Sequence, residues 1–237
     1  LVHDDIIDNA DVRRGIPTIN KKFGSKIAVV CGDYLFSEAL ALAASITDKN
    51  KYLDMNFTNY VAKVCLGEMA QLVNNGNYDL TVYQYLKIIS GKTAALFEAA
   101  FYSGAVLSGC PAEELKSYRR LGNFMGMIFQ ISDDCMDFEA TEAAAKKPVQ
   151  SDYENNVITL PLIHAITVSP ELKERLKSPG AANVKEEVIS KGGTAFSRML
   201  AKKYYNKCMD IIEKLDVIEE KASRLAWLVS AAYREQV

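Results

Sequence analysis

The sequence predicts an all-α chain, and three observations carry that expectation. Apolar residues recur at spacings of three and four over long stretches. No stretch sustains a two-residue alternation, and the segment borders carry helix start and stop signals rather than hairpin turns. In order, residues 29–47 are rich in Ala and Leu, with Gly32 as the interior breaker. Residues 52–74 place Val61, Val64, Cys65, Glu68 and Leu72 at helical spacing and stop at Asn74-Asn75-Gly76-Asn77. Thr81 is a side-chain cap for a helix over 82–90. Residues 92–107 are Ala-rich, with Leu96, Ala99, Ala100, Ser103 and Gly104 read as a close-packing face. Ser108-Gly109-Cys110-Pro111 breaks the chain, and Pro111 suits the first turn of the next helix. Residues 112–140 read as one long helical region, divided near Gly122, and 141–156 as the largest irregular segment, around Pro148. A helix over 157–168, another opened by Ser169-Pro170, turns at Ser178-Pro179-Gly180 and Gly192-Gly193, and amphipathic helices over 194–215 and 218–234 complete the chain. One all-α domain over 1–237, a helical bundle, is the economical expectation.

Composition narrows the function classes. The 237 residues are 49% hydrophobic, enough for a sizeable core, and the net charge of −2 excludes a bulk basic field for nucleic acid. The most apolar stretch, residues 27–46, is interrupted by Gly32, Asp33 and Glu38, so no membrane span is expected. Cys31, Cys65, Cys110, Cys135 and Cys208 are odd in number and widely spaced, without a Cys-x-x-Cys pair. They read as free thiols of a reducing, cytoplasmic setting. The chain begins inside a motif, so further residues before Leu1 are expected.

The chemistry sits in two acidic clusters of one form, Asp-Asp-x-x-Asp: Asp4-Asp5-Ile6-Ile7-Asp8 and Asp133-Asp134-Cys135-Met136-Asp137. On a helix, residues four apart share a face, so Asp4 points with Asp8 and Asp133 with Asp137. Like charges so placed repel, and apolar surroundings raise the cost unless a cation offsets it. Hard divalent cations prefer carboxylate oxygen, and Mg²⁺ commonly shares its shell with substrate phosphates. Asp5 and Asp134, one residue out of phase, read as supporting groups around the metal or its water. Each cluster precedes cations: Arg13-Arg14-Gly15 after the first, Lys146-Lys147-Pro148 after the second. Arg suits bidentate phosphate contact, and Lys92 and Lys147 are further candidates for phosphate ligands, whereas Lys146 reads as a solvated surface residue. With no glycine-rich P-loop, the pattern fits a Mg²⁺-bridged diphosphate better than a nucleotide.

Leu1-Val2-His3-Asp4-Asp5-Ile6-Ile7-Asp8 with Arg13-Arg14-Gly15 resembles the first aspartate-rich motif of the trans-isoprenyl diphosphate synthases, the polyprenyl synthetases. Gly32-Asp33-Tyr34-Leu35, Gly67-Glu68-Met69, Lys92-Thr93-Ala94, Phe129-Gln130-Ile131-Ser132-Asp133-Asp134 and Lys147-Pro148 with Asp152 match that family's later landmarks in order. The resemblance implies the isoprenoid synthase fold, antiparallel helices around a central cavity, in a homodimer or a heterodimer. It implies a Mg²⁺ cluster of three ions held by Asp4, Asp8 and Asp133, with Asp5, Asp134 and Asp137 supporting. Arg13, Lys92 and Lys147 would neutralise the allylic diphosphate, and Arg14 would meet isopentenyl diphosphate. Thr93 and Gln130 would steady the allylic cation. Small residues such as Ala39, Leu40 and Ala43 would line a tunnel for the growing chain, or simply pack. Peripheral membrane contact for product release is a further implication.

Three departures from the family pattern follow. The Gly-Lys-x-x-Arg region and the helical His that bind isopentenyl diphosphate precede the first motif, so a protein starting at Leu1 is expected to have little activity. Lys146 stands where the family often has Gly, and Cys135 where an aliphatic residue is usual. The first motif has two residues between Asp5 and Asp8, without the two-residue insertion typical of the family's bacterial farnesyl synthases, and the resemblance thereby implies a product longer than fifteen carbons. Rival readings are a farnesyl or geranylgeranyl diphosphate synthase, a catalytically silent regulatory subunit, a class I terpene cyclase and a helical scaffold with acidic patches.

Overall fold

A computed structural model describes residues 1–45, 55–139, 152–177 and 183–233, and the chain divides into two compact units, Leu1–Asp54 and Met55–Val237. The irregular segment around Lys146, Lys147 and Pro148 lies outside the described residues.

In the first unit, α1 (Val2–Ile7) and α2 (Ile19–Phe23) lie against the long α3 (Ser25–Ala44). The α1–α3 contact is built around a missing side chain. A Cβ on Gly32 would sit 2.4 Å from His3 Nε2, so glycine there makes room for the imidazole. That ring reaches the Val29 carbonyl at 3.2 Å and Asp33 at 3.3 Å. Gly32 therefore does not break the helix; it seats α1. Between α1 and α2 runs a hairpin of two short strands, β1 (Val12–Arg13) and β2 (Ile16–Pro17), with Arg13 opposite Ile16. Its two turn residues, Arg14 and Gly15, have φ of +52° and +80°, the mirror-image turn that matches strand twist. The Thr18 hydroxyl locks the exit: it donates to the Ala10 carbonyl and accepts from the Lys21 amide, capping α2. By length and composition alone, α3 is apolar enough to cross a membrane, which differs from the expectation drawn from its interruptions.

In the second unit, α4 (Phe57–Val73) leads to α5 (Val82–Ile89), which Thr81 starts with a reciprocal capping box with Gln84. The expected break near Ser90 is instead a π-helical turn, Ser90–Ala94, that runs directly into α6 (Ala95–Leu107). The buried stripe of α6 is Ala95, Ala99, Ser103 and Val106. Leu96 and Gly104, expected on the packing face, are exposed. The central helix is α7 (Ala112–Glu139), unbroken through Gly122. Gly122 and Gly126, one turn apart, are instead close-approach points, where a Cβ would press within 2.6 Å of the Phe97 carbonyl and 2.5 Å of Ala94 Cα. Leu121, Ile128, Ile131 and Cys135 recur at helical spacing on α7 and are fully buried. Each apolar side chain of that size stabilises by about 1.5–3 kcal/mol. A short turn (Asp152–Asn155), α8 (Leu160–Val168), α9 (Pro170–Leu176), α10 (Val184–Ser190), α11 (Gly193–Lys214) and α12 (Glu219–Tyr233) complete the unit, with α11 packed along α7. Glu98 of α6 ties three helices together. It accepts from Tyr60 of α4 and from Arg119 and Asn123 of α7. Burial, with Glu98 beside it, pushes the Tyr60 phenol up to about 12.

Candidate active site

The two acidic motifs fall one in each unit. In the first, α1 turns Asp5 inward, 6% exposed, and leaves Asp4 and Asp8 exposed. Asp5 Oδ1 accepts from Arg13 Nε at 2.5 Å, so the arginine expected to meet diphosphate also anchors the motif. The hairpin is what carries Arg13 back to α1, and Arg14 is presented exposed at its turn. An L-residue held in the left-handed region costs about 1–2 kcal/mol, a strain typical of functional loops.

The second motif lies in the last two turns of α7. Asp133 is exposed, Asp137 half-buried, and Asp134 only 3% exposed. Both oxygens of Asp134 are engaged: Oδ1 accepts from Gln130 Nε2 at 2.8 Å and Oδ2 from the Tyr85 hydroxyl at 2.6 Å. The other end of the Gln130 amide, Oε1, accepts from the Thr93 hydroxyl at 2.6 Å. One continuous chain, Tyr85–Asp134–Gln130–Thr93, thus joins α5, α7 and the π turn. Lys92, beside Thr93, pairs with Glu68 of α4 at 3.0 Å. The pairing depends on Gly67, where a Cβ would lie 2.1 Å from the Lys92 amide nitrogen. π-helical turns are frequent at functional sites, since one extra residue redirects side chains.

The sequence points to Lys92, Thr93, Gln130 and the six aspartates, and the second unit brings the first three of these together with Asp134. It does not point to Tyr85 or to a role for Glu68. Tyr85 looks like one more apolar helix residue, and Glu68 sits inside a landmark with no chemistry of its own to mark it. Lys147 lies outside the described residues.

For a metal, the donor chemistry fits a hard cation. The outward groups of each motif are carboxylates, and among the described residues no three His, Cys, Asp or Glu side chains already form a closed metal cage. A divalent ion that takes part of its shell from phosphate oxygens and water suits such an open set.

The second unit is thus a helical core that carries an Asp-Asp-x-x-Asp motif on α7, joined through Gln130 to a Lys-Thr turn. The chain belongs to the polyprenyl synthetase family, a family of prenyltransferases, whose family model matches residues 1–192. It is 33% identical over 232 residues to heptaprenyl diphosphate synthase component 2 of Geobacillus stearothermophilus, covering 93% of this chain and 70% of that one. It is 37% identical over 166 residues to octaprenyl diphosphate synthase of Escherichia coli, covering 70% of this chain and 51% of the relative. For that enzyme, and for the Bacillus subtilis heptaprenyl component 2 with 53% covered, the match spans about half the relative's length. Among solved structures, heptaprenyl diphosphate synthase from Staphylococcus aureus superposes with a TM-score of 0.87 at 29% identity, covering 100% of this chain and 76% of the other. Geranylgeranyl pyrophosphate synthase from Lactobacillus brevis superposes at 0.89 with 29% identity, covering 99% and 74%. The all-α, isoprenoid synthase fold expected from the sequence is the fold found.

Proposed function

We propose that the protein condenses isopentenyl diphosphate head-to-tail with an allylic diphosphate to make a longer all-trans polyprenyl diphosphate. The observation that carries this reading is the Lys92–Thr93 turn joined through Gln130 to the second acidic motif. Asp4, Asp8, Asp133 and Asp137 are the carboxylates that would hold Mg²⁺, with Asp5 and Asp134 bracing them from inside. Mg²⁺, when bound, stabilises the charge that grows on the departing diphosphate. Arg13, Lys92 and Lys147 add positive charge around the same leaving group, and Arg14 meets the diphosphate of the second substrate. Loss of diphosphate leaves an allylic cation, and the Thr93 and Gln130 oxygens offer it partial negative charge. The double bond of isopentenyl diphosphate attacks that cation, a new C–C bond forms, and the departed diphosphate takes up the proton whose loss restores a double bond.

The relatives named for seven and eight isoprene units favour a medium or long product, in keeping with the two-residue spacing between Asp5 and Asp8. A homodimer is the proposed assembly. The component 2 relatives favour a second reading in which this chain is the prenyl-transferring subunit of a heteromer. Incubating the full-length protein with radiolabelled isopentenyl diphosphate, Mg²⁺ and allylic primers should give labelled product longer than twenty carbons. Absence of elongation, alone and with a co-purified partner, would sink the proposal. Product no longer than twenty carbons would reassign it to the short-chain enzymes.

A further inference from the structure

Away from the acidic motifs, charge is unevenly spread over the second unit. The chain as a whole carries −2, yet residues 193–209 of α11 hold Arg198, Lys202, Lys203 and Lys207 with no Asp or Glu, before Asp210 ends the stretch. Residues 221–233 of α12 hold Lys221 and Arg224, again with no acid. The two stretches lie side by side: the Tyr205 hydroxyl is 3.2 Å from that of Ser230, and the Tyr205 and Tyr233 rings are 5.3 Å apart. Both lie beyond residue 192, where the family model ends, and the proposed chemistry uses neither.

Arg198 and Arg224 are relieved by Glu139 and Glu220. Lys202, Lys203 and Lys207 are exposed, and among the described residues none of them meets a carboxylate. Two lie over aromatic rings instead. The Lys202 ammonium is 4.3 Å from the Tyr205 ring centre, and that of Lys207 is 5.1 Å from Tyr204 and 5.3 Å from Phe124, which Arg120 of α7 also faces at 5.6 Å. An ammonium over a ring keeps its charge and stays open to a further anion. Large apolar groups stand among these cations. Met199, 47% exposed, is one turn before Lys203, and Trp227, 68% exposed, is one turn before Ser230. A polyanion such as RNA would engage the lysines but leave Met199 in water. A lipid headgroup layer takes both, since lysines reach its phosphates while Trp and Met enter beside them. We infer that the face of α11 and α12 around Lys202, Lys203, Lys207 and Trp227 docks on a bilayer surface rich in anionic lipid. The inference goes beyond the prenyl-transfer reading and does not depend on it.

The test is sedimentation of the full-length protein with vesicles of phosphatidylcholine, alone or with about one-third phosphatidylglycerol. The protein should sediment with the mixed vesicles and not with the neutral ones, and added salt should release it. Combining Lys202→Gln, Lys203→Gln and Lys207→Gln should weaken the partition by more than about tenfold, and Trp227→Ala by about threefold. Thermal melting should show these variants folded, as expected for exposed positions. Where the triple variant does not fold, Lys203→Gln alone decides, with an expected loss of about threefold. Trp227 is the single tryptophan of these 237 residues, and its emission, taken by difference against Trp227→Phe, should move to the blue on binding. No sedimentation with the anionic vesicles overturns the inference, and so does a wild-type partition in the lysine variants. Sedimentation with Trp227 emission unmoved overturns it too, since contact then runs through another surface, such as apolar α3. Binding to polyuridine RNA without binding to vesicles also overturns it and gives the face to nucleic acid.

Discussion

The two acidic motifs share one written form and bury the same member, yet the described hydrogen-bond donors around that member differ. Asp5, at 6% exposure, leans on a charged partner, Arg13, carried in by a short hairpin beside a six-residue helix. Asp134, at 3%, is held by two neutral donors, Tyr85 and Gln130, in the interior of a 28-residue helix. The first anchor is half open to water, with the Arg13 side chain 37% exposed. An ion pair there is screened, and its guanidinium remains a diphosphate ligand as well as a brace. In the second, Tyr85 and Asp134 are buried, so the hydrogen bond between them is shielded from water, while Gln130 is half-buried. One motif is built to be adjusted by ligand, the other to be fixed beforehand.

The largest effect should separate outward from inward carboxylates in both motifs alike. Asp4→Ala and Asp133→Ala should each reduce kcat by about a thousandfold or more, on the order of 4 kcal/mol of transition-state stabilisation. Near-normal steady-state turnover in either would break the assignment of the outward pair to metal. The next effect should divide the motifs from each other. Asp134→Ala removes the carboxylate to which the buried Tyr85 hydroxyl and the half-buried Gln130 amide donate, and should cost about 3 kcal/mol in denaturant unfolding. Asp5→Ala, which leaves Arg13 a route to water, should cost about 1 kcal/mol. Equal losses would mean the two anchors are alike after all. The last effect concerns the residue after each buried Asp: Ile6 in the first motif, Cys135 in the second. Burial pushes the Cys135 thiol up to about 12 from 9.0, and the thiol is fully buried. Above pH 9 the unfolded chain releases that proton and the folded one keeps it, so stability falls as pH rises. At pH 10 the loss from this site is about 1.4 kcal/mol. Urea melts at pH 8 and pH 10 should show a loss smaller in Cys135→Val than in the wild type by about that amount, because the buried Cys208 thiol, also raised to about 12, contributes its own loss in both.

Much of the fold is legible in the amino-acid sequence. Helices α4, α7, α11 and α12 announce themselves through long apolar periodicity, and Thr81, Asn74–Asn77 and Pro170 mark borders by local chemistry that tertiary packing does not override. The outward aspartates can be read from their four-residue spacing, because that depends only on helix geometry. The inward pair resists, since whether a buried carboxylate meets Arg13 or Tyr85 depends on elements eight and forty-nine positions away. The hairpin at Arg14-Gly15 is hidden by its brevity: strands of two residues cannot show alternation, and Arg is not the turn residue the rule expects. Gly32, Gly67 and Gly122 look like helix breakers or landmarks because a sequence does not reveal what lies opposite a missing Cβ. Each is a place where another backbone or ring comes close.

The π turn at Ser90–Ala94 has a consequence for anyone aligning, mutating or redesigning this region by position. It stores one residue beyond the helical count, so the ladder across it links residues five apart instead of four. Counting back in fours from Thr93 reaches Ile89, which is buried in the core, whereas Thr93 itself is half-open. The chain is therefore about a quarter-turn out of phase with itself across those five residues, and a single-residue deletion there would bring the helix back into step while turning Lys92 and Thr93 away from Glu68 and Gln130.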